Sequence, residues 1–316
     1  MTNIAVARPA KKRSPIIGFF SDQTKWTPYL FVSPFFITFA IFTLYPMLRA
    51  IVMGFQESLG YSGQWNWVGL ANYIEAFKND PRMITAFRNF IYYTLGSLIT
   101  QLPCAFLLAL LLTSPSLRAA GLWRTLFFIP AVLPGVTMGV IGSWFFSRTH
   151  GFANALVVAF GGERVDWGRY TYYIMPQLLT IAFWQWMGYH AVFLIAGMGG
   201  IGSEVIEAAI VDGATAWQRA RYVILPLLKP IFAYISITAA AGSLMIFDIP
   251  FVLFDAGGGP REQGWFFVTH IRDMAFVQFR MGYATALGWL VFIIAVVITV
   301  LQLRLYNFRL GEQEVA

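Results

Sequence analysis

Apolar positions along this chain do not alternate with polar ones. They come in six long blocks, each about 20 residues or more and nearly free of charge, over roughly residues 29–52, 89–112, 125–146, 173–198, 231–254 and 283–305. That is the length an α-helix needs to cross the hydrocarbon core of a bilayer. The pattern predicts an all-α integral membrane protein, a six-helix transmembrane bundle over 26–310 between short tails at 1–25 and 311–316. Pro34 and Pro46 fall inside the first block and Pro130 and Pro134 inside the third. Proline is tolerated in a span where neighbouring helices or water satisfy the carbonyls it frees. The expectation is therefore a bundle around a cavity, not a simple anchor.

Composition narrows the class. Hydrophobic residues make up 58% of the chain and charged residues 12%, where a soluble domain carries about 25% charged residues. So little charge cannot cover a water-facing surface of this size, which argues against a soluble enzyme and against a disordered chain. The net charge of +7 comes from five Lys and 17 Arg spread thinly, with no basic face for nucleic acid. In a membrane protein such an excess matches inward-facing loops and anionic headgroups. Six spans put both termini on one side. Lys11, Lys12 and Arg13 ahead of the first span place that side in the cytoplasm, at the inner membrane. The apolar patch behind them is too short for a signal-peptide core, so residues 1–25 read as an uncleaved tail. Cys104 stands alone, so no intrachain disulfide forms, and it reads as a buried small hydrophobe.

The stretch 199–230 is different in kind, amphipathic and helical, on the cytoplasmic side. Ser203 can cap a first short helix that carries Glu204 and Glu207 near its positive end. Gly213 can end that helix, and Thr215 with Gln218 forms a capping-box pair for a second. Pro226 and Pro230 mark its end and the entry to the fifth span. Glu207-Ala208-Ala209, then Gly213, then Val223-Ile224-Leu225-Pro226 after nine residues, resembles the EAA motif of ABC importer permeases, with Val223 as the one departure. Asp212 and Ala214 match the common Asp-Gly-Ala form of that motif.

Other segments extend the resemblance to the sugar-type branch. They are Gly69-Leu70-Ala71-Asn72-Tyr73 after the first span, Arg124-Thr125-Leu126-Phe127-Phe128-Ile129-Pro130 at the third, and Gly151-Phe152-Ala153-Asn154 beyond it. Phe247-Asp248 followed by Gly257-Gly258-Gly259-Pro260 is similar to the maltose and glycerol-3-phosphate branch, with Asp255-Ala256 where that branch has Leu-Thr. The resemblance implies a type I ABC importer permease with a cytoplasmic coupling-helix loop. Its implied partners are a second homologous permease, two ATP-binding cassette subunits, an external solute-binding protein and the lipid bilayer. Coupling to the ATPases is then expected of Glu207, Ala208, Ala209, Asp212, Gly213, Ala214, Arg219 and Pro226, the small residues letting a helix seat closely in a partner groove. None of the five lysines follows a glycine, so the Walker phosphate loop is missing. ATP and Mg belong on the partner subunits, with no cofactor bound by this chain.

No catalytic cluster stands out. His150, His190 and His270 are far apart, without metal-ligand spacing, so no metal site is expected and all three read as structural. Intramembrane polar groups face a bundle interior or a wet cavity, and the resemblance places transient solute contacts on the fourth and fifth spans. The candidates are Trp184, Gln185, Met187 and Gly188, with Ser243, Met245, Phe247 and Asp248. At 3.6 residues per turn, Trp184, Met187 and Gly188 share a face with Gln185 at its edge. Ser243 pairs with Phe247, and Asp248 with Met245 and Leu244. No basic residue interrupts these two spans, which favours a sugar or oligosaccharide over glycerol-3-phosphate or another polyol phosphate. A secondary transporter is the more distant alternative. It predicts inverted repeats and half-helices, and neither is read here.

Overall fold

The computed structural model describes residues 23–58, 63–255 and 258–306. The basic tail before residue 23, the C-terminal tail and the Ala256 step of the glycine loop lie outside them. The chain divides at Val52 into two compact units. The described residues of the first form one helix, α1 (23–53), running Gln23–Phe39, through a π turn at Ala40–Leu44, into Tyr45–Met53. The π turn has a local cause. Pro46 follows immediately, and in a regular helix its ring would strike the carbonyl four residues back. One widened turn, closed by Tyr45 N–H donating to the Ala40 carbonyl, relieves that clash.

The second unit starts with a minimal antiparallel pair, β1 (Gln56–Glu57) with β2 (Asn66–Trp67). It continues through α2 (Ala71–Lys78), α3 (Pro81–Leu112), α4 (Ala120–Val132), α5 (Gly135–Phe145) and α6 (Phe152–Ala159). Then come α7 (Thr171–Gly199), α8 (Ser203–Val211), α9 (Ala216–Leu227), α10 (Lys229–Leu244) and α11 (Asp248–Leu253). α12 (Phe267–Arg272, continued by a π turn at Asp273–Val277) and α13 (Met281–Leu305) close it. α3 and α7 lie along each other as the central pair. α4 crosses α7 so tightly that a Cβ at Gly188 would stand 1.9 Å from the Phe127 carbonyl oxygen. α10 is tied to α13 where Gln302 Nε2 donates to the Ser236 carbonyl at 3.1 Å and Ser236 Oγ meets the Tyr306 hydroxyl at 2.8 Å.

Among the described residues, four helices are long and apolar enough to cross a membrane, or up to six if each bent pair counts as one span. The bent pairs correct the sequence reading. The third block is two helices, α4 and α5, bent by 99°. Leu133 is extended at ψ 135, as a residue before proline prefers, and Pro134 lacks the N–H that would continue the helix. The fifth block is broken twice. It enters from α9, bends by 67° at Leu228 into α10, and stops at Leu244 before restarting at Asp248. Pro230 and Pro250 stand just inside the helices that follow these breaks, the one place in a helix where a missing N–H is harmless. The half-helices not expected from the sequence are therefore present, and α5 and α11 pack against each other. A Cβ at Gly139 would lie 2.8 Å from the Val252 Cβ, so only glycine permits this approach.

One end of the unit is held by a carboxylate. Asp80 caps α3, its Oδ1 accepting from the Arg82 and Met83 amides at 2.9 and 3.1 Å. Its Oδ2 accepts from the Tyr283 hydroxyl of α13 and sits 2.6 Å from Nε2 of buried His270 in α12. Around it Arg82 reaches Glu262 and Asp273, and Arg280 grips Glu75 with both terminal nitrogens, at 2.6 and 2.8 Å, and touches Glu57. Burial works to raise the Asp80 pKa, but the hydrogen bonds from His270 and Tyr283 outweigh it and hold the group at about 2. A depressed carboxyl stabilises the fold above its ordinary value of 3.8 and loses that contribution as pH falls toward 2. Asp80→Ala is expected to cost about 3 kcal/mol by stranding buried His270. In thermal unfolding of detergent-solubilised protein, the gap between parent and variant should narrow as pH drops through that window.

Candidate functional site: a short-helix loop and a cavity between helix breaks

The loop between α7 and α10 takes the helix–glycine–helix form, with one change at its start. Gly202, extended at ψ 137, is the N-cap of α8, and Ser203 is already its first helical residue. Gly213 sits at φ +78, a left-handed value that β-branched residues avoid. It closes α8 by donating to the Ile210 carbonyl at 3.0 Å, while Ala214 N–H reaches Ala209. No atom lies within 4 Å of where its Cβ would be, so the demand for glycine is one of backbone conformation alone. Thr215 then caps α9 through the full capping box: Gln218 N–H donates to Thr215 Oγ1 at 3.3 Å and Thr215 N–H to Gln218 Oε1 at 2.7 Å. Arg219 braces the turn by donating to the Ala214 carbonyl at 2.7 Å.

Glu207, Ala208, Asp212 and Gly213 are exposed, and Ala209 and Ala214 half-buried. Pro226 does not end α9. A π turn at Ala220–Ile224 absorbs it, and the helix runs one residue further, to Leu227. Val211 (86% exposed), Ile210, Trp217 and Tyr222 give the loop an apolar outer surface, the kind that marks an interaction face.

The second feature is a cavity of about 480 Å³ where the two breaks meet. α3 lends Tyr93, Ser97 and Gln101 to its wall, and α7 lends Gln185, Trp186, Tyr189 and His190. α10 adds Thr238 and Ser243, and the breaks add Leu133, Gly135, Met245, Phe247 and Asp248. Gln185 is buried and donates at 3.3 Å to the carbonyl of Leu133, a group freed by the bend at Pro134. Among the described residues, His190 Nδ1 is buried without a hydrogen-bond partner. The Trp186 and Tyr189 rings meet edge to face at 5.6 Å. Asp248 and Met245 are exposed on the same wall, the Asp248 carboxylate lying 2.6 Å from where a Cβ on Gly135 would be.

Of the residues the sequence suggested, Gln185, Ser243, Met245, Phe247 and Asp248 come together here. Trp184, Met187 and Gly188 do not. Trp184 faces a separate, wholly apolar cavity of about 340 Å³ with Met138, Ile141 and Phe145. Met187 packs into the core around Leu112 and Leu194, and Gly188 lies beneath the Phe127 carbonyl. The face of α7 that lines the cavity is centred one or two residues later than the spacing suggested, on Gln185, Tyr189 and His190. Of the residues expected beside Asp248, Met245 does share its wall, while Leu244, the last residue of α10, is buried and does not. Tyr93, Ser97 and Gln101 went unread although they repeat every fourth residue along the second block. His190, read as structural, stands in the cavity wall.

The family described as "binding-protein-dependent transport system inner membrane component" matches residues 101–309, which hold both helix breaks and the short-helix loop. The chain belongs to this family. The permease is 30% identical over 289 residues to the arabinooligosaccharides transport system permease protein AraP of Bacillus subtilis (strain 168), covering 91% of each chain. It is 28% identical to the lactose transport system permease protein LacF of Rhizobium radiobacter, over 87% of this chain and 92% of that one. In fold it resembles a chain in the crystal structure of a bacterial ABC transporter involved in the import of the acidic polysaccharide alginate. That match has a TM-score of 0.79 at 23% identity and covers 93% of this chain and 100% of the other. The permease is thus a multi-pass inner-membrane component, as the EAA-like motif led us to expect.

The wall assignment has a direct check. In a Cys104→Ser background, cysteine placed at Ser97 or Gln101 should react with a small thiol reagent at least about tenfold faster than cysteine at core positions Ala191 or Leu194, since packed interiors exclude the reagent. Equal rates would show that α3 does not face the cavity.

Proposed function

We propose that this permease forms half of the translocation path for a sugar or oligosaccharide in an ATP-driven importer. A second homologous permease forms the other half, two ATPases bind the α8–α9 loop, and an external binding protein delivers the solute. The observation that carries this reading is the cavity between the two helix breaks. It combines aromatic rings with neutral hydrogen-bonding groups, the mixture a saccharide needs for its ring faces and hydroxyls. The names of the relatives point to oligosaccharides. A polyol phosphate is disfavoured because no Lys or Arg among the described residues lines the cavity.

Both termini and the α8–α9 loop are assigned to the cytoplasm, and with Gly213 and the capping box fixing their angle, the two short helices are suited to moving as one piece under the ATPases. Glu207, Ala208, Ala209, Asp212, Ala214, Arg219 and Pro226 belong to that piece. ATP and Mg stay on the partner subunits. The same logic makes a heterodimer of permeases the working form, because Asp248 and Met245 open on one side of the chain.

Gly213→Val introduces backbone strain on the order of 1–3 kcal/mol. It should abolish uptake in cells while the protein remains in the membrane at normal level. Uptake at the parent rate would remove the mechanical role from this loop. Orientation is read separately: an impermeant thiol reagent on intact cells should label Arg164→Cys and leave Thr215→Cys unlabelled, and the reverse pattern would invert the topology. Uptake should stop when cellular ATP is depleted and survive collapse of the proton gradient, the opposite of what a secondary transporter would do.

A further inference from the structure

Whatever wall this chain gives the cavity is uncharged or negative. Its hydrogen-bonding groups include Ser97, Gln101, Gln185 and His190, and its one carboxylate is Asp248. Among the described residues neither Lys nor Arg lines it, and Asp248 has no ion-pair partner. The guanidinium of Arg272 stacks over Phe251 at 4.9 Å, and Phe251 packs on Phe247 at 4.8 Å. That cation is thus engaged on Phe251, which does not line the cavity. A carboxylate at the rim of a cavity with low-dielectric sides focuses its field into the space. An anionic sugar there would meet a like charge with no counter-charge from this subunit, an arrangement that discriminates by repulsion.

Building on the sugar-path reading above, we infer that the path admits uncharged or cationic saccharides and rejects those bearing carboxylate or phosphate groups, with Asp248 setting the sign. The importer with the similar fold handles an acidic polysaccharide, so the shared architecture does not fix the charge of the cargo. The lining does.

The test uses the assembled transporter captured through a tag on this chain, carrying Cys104→Ser and Met245→Cys. Met245 is exposed on the cavity wall three residues from Asp248. Two methanethiosulfonate reagents of similar size, one cationic and one anionic, are compared, with rates normalised to a free thiol. The cation should be favoured on the order of fivefold at low salt, and the preference should fall toward one in Asp248→Asn and at high salt. A ratio of one or below in the parent protein overturns the inference.

A second arm reads the sugar. Within a panel of neutral trisaccharides that includes arabinotriose, at least one should slow labelling of Met245→Cys. Trigalacturonate should not, and should begin to do so in Asp248→Asn. Equal protection by neutral and acidic trisaccharides overturns the charge filter and leaves the sugar path standing. If no saccharide protects while the cationic preference holds, it is the sugar-path reading that fails. Asp248→Asn keeps the side-chain shape, so its fit above Gly135 is preserved and assembly serves as the folding control.

Discussion

The fold depends first on a single carboxylate. Asp80 satisfies the amides that open α3, holds His270 of α12 and accepts from Tyr283 of α13. The start of α3 is thereby fixed to α12 and α13, two consecutive elements far along the chain. The ion pairs of Arg82 and Arg280 add the hairpin, α2 and the segment after the glycine loop to the same cluster. α3 has 32 residues, so at 1.5 Å per residue its far end is about 48 Å away. There Leu112 shares a core with Ala220 and Leu228 at the base of the short-helix loop. One end of the unit is thus locked by charge and the other seated by apolar packing. The helix breaks and the cavity lie between them.

Proline shapes the middle in two ways. Pro46 and Pro226 each follow a π turn, which widens the helix by one residue and lets the chain continue. Pro134 breaks the helix outright, and Pro230 and Pro250 sit where a new one has just begun. A break frees backbone carbonyls, and a chain in lipid has to find donors for them. Gln185 supplies one for Leu133. The polar character of the cavity and the bends around it have this common origin.

Much of this was legible in the sequence. The apolar blocks gave α7 and α13 to within about two residues, because length and hydropathy are what a bilayer selects, while α3 starts well ahead of its block, at Pro81, on a polar turn that hydropathy does not register. The turn chemistry of Gly213 and of Thr215 with Gln218 was readable because each residue type there performs a local task. Ser203 was misread as a cap because glycine can take the same extended conformation with no side-chain bond. The second break of the fifth block was hidden, since hydropathy is blind to backbone angles and residues 245–247 are as apolar as their neighbours. The face of α7 slipped because periodicity says which residues share a side and not which side is inward. Phe127 decides it by occupying the space above Gly188.

The α8–α9 turn is closed by bonds within itself: a left-handed glycine, a reciprocal cap and one arginine to the carbonyl five residues before it. Its shape is thus specified by some twenty consecutive residues and owes nothing to whatever binds it. Any protein docking on Val211 and Trp217 meets a surface whose conformational entropy has already been given up in folding. The affinity of that contact then reports the fit of two preformed bodies, without the ordering cost that a flexible loop would impose at each encounter.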